Sequence, residues 1–212
     1  SIIENESLLT TQFKVTKKID DSTNLDTNFT VYEDLSKADS DRFQYIMPNF
    51  TFTKNITIPN NYNGNFKFIS SGFQKNYDTN KYESLLINDF LYESNDIVSE
   101  FGLLSDYDII VKNFNSYTEN SSNYTEKEEY DVFSSLLFKT SLPLKKTSER
   151  SQNYLTPILA VRYSPNNTKN ISDKDIKLNY NNIFSLNRIG SNEIVEGGKS
   201  VSIGLDYEKR DL

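Results

Sequence analysis

Cysteine, histidine and tryptophan are all missing from this 212-residue chain. Without Cys there is no disulfide, no thiol nucleophile and no thiolate zinc site. Without His there is no imidazole general base and no imidazole metal ligand. Glycine (7) and proline (5) are scarce, so the chain is neither fibrous nor low in complexity. Positive charge is also short: 23 Lys and Arg stand against 30 Asp and Glu, a net charge of −7. A nucleic-acid binder would normally show a basic surface. No apolar run reaches the ~18 residues expected of a transmembrane helix. A membrane-crossing strand needs only ~9–11 residues and alternates in polarity, so this absence leaves a strand-built span open. Ser1 to Ser7 is polar, without the basic start and apolar middle of a signal peptide. We therefore expect a piece of a longer protein, with any targeting segment outside it.

What is present points to strands. The 14 Tyr and 14 Phe carry a strong β bias. Residues 8–19 alternate, with Leu9, Phe13, Val15 and Ile19 on one side. Residues 20–24 read as a turn, and 27–35 as the returning strand. The run 43–58 shifts its apolar phase from Phe43, Tyr45 and Met47 to Phe50, Phe52 and Ile56, which predicts a bulge or break near Pro48. Asn60 to Gly64 is a tight-turn signal. Residues 65–74 and 82–92 read as strands joined by a turn at 76–80. The run 103–114 is a further strand, 115–129 a long polar loop, and 130–144 the strand that pairs back. Residues 145–153 read as a link.

The last third is the most regular. In 154–163, Leu155, Pro157, Leu159, Val161 and Tyr163 share one face; Thr156, Ile158, Ala160 and Arg162 share the other. In 199–207, Val201, Ile203, Leu205 and Tyr207 alternate with Ser200, Ser202, Gly204 and Asp206. Residues 176–186 read as a strand or an irregular excursion. The sum is an all-β antiparallel meander of about nine strands. Its periodicity fits an outer-membrane barrel and a soluble β-sandwich equally.

Chemistry-bearing candidates are few. Asp106 and Asp108 share a strand face with Lys112 beyond them; a carboxylate pair suits acid–base work or calcium, and equally a solvated face. Arg162 and Arg188 suit a phosphate or carboxylate ligand, or a neighbouring acidic side chain. Gly190, Gly197 and Gly198 lack the strand–loop–helix setting of a phosphate cradle and read as turn residues. Asn-x-Ser/Thr triplets, such as those at Asn28 and Asn123, are expected by chance in so Asn-rich a chain.

The order of the last block, YLTPILAVRYSPN, NNIFSLNRIG and EGGKSVSIGLDYEKRD, resembles the barrel region of the LPS-assembly outer-membrane proteins, the LptD (OstA) family. The matching residues are Pro157, Phe184, Asn187, Arg188, Gly190, Gly198 and Gly204. The segments 41–50, 101–113 and 141–145 also resemble family segments. The resemblance implies that residues 1–212 are a partial transmembrane β-barrel domain without its periplasmic domain. It implies lipopolysaccharide transport into the outer leaflet of the Gram-negative outer membrane, with no covalent chemistry and no cofactor. It further implies a lipoprotein plug (LptE-like), a periplasmic bridge protein (LptA-like) and membrane lipid as partners, and no nucleic acid. Asp106, Asp108, Lys112 and Arg162 would then be luminal polar contacts. The alternatives are a generic porin-like barrel, or a secreted β-sandwich adhesin or carbohydrate-binding module.

Overall fold

The computed structural model describes residues 7–38, 40–57, 59, 63–167, 177–189 and 191–211. Its strands are β1 (Leu8–Asp20), β2 (Thr23–Asp34), β3 (Phe43–Ile56), β4 (Gly64–Tyr77), β5 (Lys81–Ser94), β6 (Ile97–Val98), β7 (Leu104–Glu119), β8 (Lys127–Ser141), β9 (Leu144–Thr147), β10 (Ser151–Ser164) and β11 (Gly198–Asp211). They form one sheet in the order β1-β2-β3-β4-β5-β7-β8-β10-β11, with β6 on β7 and β9 on β10. The chain is thus an all-β antiparallel meander, and no helix occurs among the described residues. The sheet is not closed: in the strand order, β1 and β11 stand at its two ends.

Contacts divide the chain into two compact units. The first comprises Ser1–Ile56, Lys67–Asp89 and Asn113–Val132; the second comprises Thr57–Phe66, Phe90–Lys112 and Phe133–Leu212.

In the first unit, β1 and β2 pair from Leu8↔Asp34 to Asp20↔Thr23. Their turn is shorter than the expected 20–24. Asp20 closes it by accepting hydrogen bonds from the Ser22 N–H (2.7 Å) and hydroxyl (2.8 Å) and from the Thr23 hydroxyl (3.0 Å). The bulge expected near Pro48 is present. Asn28 pairs with Asn49 and Thr30 with Ile46, so Phe29 opposes two residues, Met47 and Pro48. The extra residue restores the phase. Phe43 and Tyr45 lie opposite Glu33 and Val31, while Phe50 and Phe52 lie opposite Thr27 and Leu25, all on the face of Phe29. The tight turn expected at 60–64 lies mostly outside the described residues.

Gly72 marks the closest packing of β4. A Cβ there would collide with the Leu85 carbonyl oxygen and lie 3.2 Å from the Phe50 ring. The obstacle is backbone, which side-chain motion cannot relieve. Gly72→Ala is expected to cost ~1–3 kcal/mol, the usual range for overpacking, measured by denaturant unfolding against the parent chain.

Two expectations are corrected. The polar loop of 115–129 shrinks to residues 120–126, because β7 runs on to Glu119 and β8 starts at Lys127. Ser116 and Thr118 are buried there, so polarity marked a buried strand face, not a loop. The link 145–153 contains β9, which pairs Thr147 with Gln152 and Leu144 with Leu155. Of the two alternatives for 176–186, the described part is the irregular excursion, turn and bend without strand. The two-residue β6 was missed; it turns back onto β7 through Gly102, whose φ of 80° suits glycine.

Candidate functional site

The second unit places its residues inside out. On β8, β10 and β11 the aliphatic and aromatic face is the exposed one. Leu136 and Phe138, Leu159, Val161 and Tyr163, and Val201, Ile203, Leu205 and Tyr207 are all exposed; Ile203 reaches 80%. Register joins them into rows: Phe138, Val161 and Val201 pair in sequence, Leu159 pairs with Ile203, and Pro157 with Leu205. The opposite face is buried and mixed. It carries Lys112 on β7, Ser135 and Leu137 on β8, Ala160, Arg162 and Ser164 on β10, and Ser202 on β11. A water-soluble sheet would normally bury its aliphatic face and leave its charges wet.

What covers the polar face is the chain between β10 and β11, here called the strap (residues 177–189 and 191–197). Ile189, Ile194 and Val195 of the strap are buried. Arg162, 3% exposed, donates to the backbone oxygens of Glu196 (2.6 Å) and Gly197 (3.1 Å) and to the Ser135 hydroxyl (3.2 Å). Lys112 donates to the Asn192 carbonyl (2.7 Å), and the Ser202 hydroxyl to the Ile183 carbonyl (3.1 Å).

One carboxylate is shared by two guanidiniums. Arg188 forks onto Glu196, its Nε 2.8 Å from Oε2 and a second nitrogen bonded to Oε1. Arg162 approaches the same Oε1 at 3.4 Å. The two arginine side chains are 9% and 2% exposed, and that of Glu196 17%. Burial alone would raise the Glu196 carboxyl; the Arg188 hydrogen bond and the two guanidinium charges outweigh it and hold the group below its ordinary value of 4.5. The hydrogen bond to Glu196 holds Arg188 above its ordinary value, against its own burial.

A depressed carboxyl stabilises the folded form above the unfolded pKa and loses that contribution as pH falls through the folded one. Strap docking is therefore expected to be intact above about pH 4.5 and to loosen progressively below it. Amide exchange across 191–197, corrected for its intrinsic pH dependence, should rise in that window and in no other.

Most of the residues singled out in sequence gather at the strap. Phe184 packs against Gly204, where a Cβ would lie 2.5 Å from the ring, so Gly204 is the groove for that ring. The Asn187 amide donates to the Ser191 (3.3 Å) and Ile194 (3.2 Å) carbonyls, and its carbonyl accepts from the Glu196 N–H (3.4 Å). Gly198 opens β11 with a φ of 90°, where glycine is required. Gly190 lies outside the described residues. Pro157 sits where the pairing of β10 passes from β8 to β9; its carbonyl accepts from the Leu142 N–H (3.1 Å), and its missing donor falls at that gap.

The acidic candidates do not assemble a site. Asp106 pairs with Lys139 at 3.0 Å while Lys112 reaches the strap. Asp108 is half-buried on the same strand. Among the described residues no three acidic groups gather as a metal site. Glu196, the centre of the ion cluster, was missed. Its one sequence signal is its position two residues before Gly198, where the chain enters β11.

The first unit holds a second buried carboxylate that sequence reading missed. Glu83, 2% exposed, accepts from the Tyr77 hydroxyl (2.7 Å), the Ser121 hydroxyl (2.6 Å) and the Asn123 amide (3.1 Å), with Lys75 at 3.8 Å. Those partners tie the 120–126 loop to the β4–β5 hairpin. A recess of about 430 Å³ in the same unit is lined by Lys81, Tyr82, Tyr117 and Glu119 among others, and Glu83 does not line it.

Compared with known proteins, the chain matches no family model and no curated sequence. Among the described residues no helix is long and apolar enough to cross a membrane, which says nothing of a span built from strands.

Proposed function

We propose that this chain is part of an outer-membrane β-barrel that carries lipopolysaccharide to the outer leaflet. The observation that carries the membrane half is the exposed apolar face of β8, β10 and β11, set opposite buried Arg162 and Lys112. A lipid-facing strand needs apolar side chains outward and tolerates polar ones inward. The long strands run to 12–16 residues, beyond the ~9–11 a tilted membrane strand requires. The lipopolysaccharide half rests on the ordered resemblance to the LptD family. It is supported by the convergence of Phe184, Asn187, Arg188, Gly198 and Gly204 on one structural unit. In this reading the saccharide passes along the polar face while the acyl chains contact lipid. A lipoprotein plug and a periplasmic bridge would complete the machine, and no bond is made or broken.

The absence of cysteine makes the test clean. Ile203→Cys and Ser200→Cys chains are refolded with lipid vesicles and treated with a water-soluble maleimide. The reading expects Ile203→Cys to be shielded by lipid. Free labelling there moves the assignment to a secreted β-sheet protein. A photo-crosslinker at Ser200 should then capture lipopolysaccharide. Lipid shielding of Ile203→Cys without that capture leaves a generic porin-like barrel.

A further inference from the structure

Three side chains of the polar face donate hydrogen bonds to the strap. Lys112, Arg162 and Ser202 donate from the sheet; the oxygens of Asn192, Glu196, Gly197 and Ile183 accept from the strap. Toward these donors the segment 191–197 presents carbonyl oxygens and the Glu196 carboxylate. The cluster holds two guanidiniums against that single carboxylate, leaving one positive charge in excess. Arg162 is also incompletely served: its Nε is buried with no hydrogen-bond partner. Buried ion clusters of this kind are costly compared with apolar packing, and their best-attested use is as a register or switch element.

We propose that residues 191–197 of the strap occupy an anion site formed by Arg162 and Arg188, and that a phosphate-bearing saccharide headgroup displaces them. This rests on the lipopolysaccharide reading above. Glu196 stands in for the anion: it presents two oxygens to the Arg188 fork and one of them to Arg162. A phosphate monoester carries roughly −1.5 to −2 charges and three acceptor oxygens. It matches the charge of two guanidiniums more fully than one carboxylate does, and guanidinium geometry suits it. Phosphate at this position and Glu196 at this position exclude each other. Ligand entry therefore releases residues 191–197, and ligand exit lets them return.

Glu193 is the reporter, because a glutamate-specific protease cleaves after glutamate and Glu193 lies half-buried in the segment that ligand entry releases. The full chain is folded in detergent micelles at fixed ionic strength. Cleavage after Glu193 is followed with diphosphorylated lipid A, with the same lipid stripped of phosphate, and with inorganic phosphate. Lipid A is expected to accelerate cleavage about tenfold, a shift of ~1.4 kcal/mol in the docking equilibrium, with strand circular dichroism unchanged. The stripped lipid should do nothing. Equal acceleration by the stripped lipid, or none by any probe, overturns the proposal. Acceleration by inorganic phosphate as strong as by lipid A overturns the headgroup assignment.

Glu196→Gln should be cleaved without ligand and should bind lipid A more tightly. Should that variant not fold, Ser202→Ala weakens the strap without touching the charges and should lower the lipid A concentration needed for cleavage. A purely structural strap would be cut faster in Ser202→Ala with no dependence on lipid A. If Ile203→Cys stays shielded by lipid while the strap ignores lipid A, only this inference falls.

Discussion

Glu196→Ala is expected to cost ~3–5 kcal/mol, the range seen when one partner of a buried ion pair is removed. The magnitude comes from what stays behind. Arg162 and Arg188 would face each other with side chains 2% and 9% exposed and no carboxylate between them. Arg162 would keep its backbone acceptors at Glu196 and Gly197; Arg188 would lose both of the bonds it makes to the carboxylate. Denaturant unfolding of the micelle-folded chain measures the loss. Removing both members, Arg188→Ala with Glu196→Ala, should cost clearly less than the sum of the single changes, since one of the two orphaned charges goes too. A loss under ~1 kcal/mol for Glu196→Ala, the scale of an exposed ion pair, would show that the cluster is open to water.

The second large effect lies on the opposite face. Leu159→Lys is expected to destabilise the membrane-folded chain by ~2–4 kcal/mol if the site lies near the bilayer midplane. Leu159 lies well inside β10, paired to Ile203 on one side and Thr140 on the other. The change should be far milder in a detergent or denaturant series in which water reaches that face. Paired refolding titrations, in vesicles and in micelles, separate the two. Equal, small effects in both media would count against lipid at this face and would weaken the barrel reading directly.

The strands were legible in sequence because alternation survives whichever face is buried. The 43–58 run disclosed its bulge because the phase slip between Met47 and Phe50 is written in side-chain type. Residues 115–119 were misread for the opposite reason: Ser116 and Thr118 look solvated and are buried. Sequence polarity reports burial only when the interior is apolar, and here much of the buried face is polar. Strand β9 was hidden by Lys145 and Lys146, which face solvent at an edge where charge is common. Of the cluster, Arg162 and Arg188 stood out as charged groups within or beside an apolar block. Glu196 did not, because nothing local to an acidic residue before two glycines records that two arginines from elsewhere in the chain will close on it.

The edge position of β11 has a kinetic reading as well. Along an edge strand, successive N–H groups point alternately toward the neighbouring strand and away from it. For Gly198–Asp211, paired among the described residues with β10 alone, this splits the amides into two populations. One set should exchange with deuterium as slowly as the β10 ladder opens, the other nearly as fast as free peptide. The stagger is a ruler for completeness: if, in membrane, both sets slow together, some further strand has closed on β11, and the fast set counts the fraction of molecules still waiting for it.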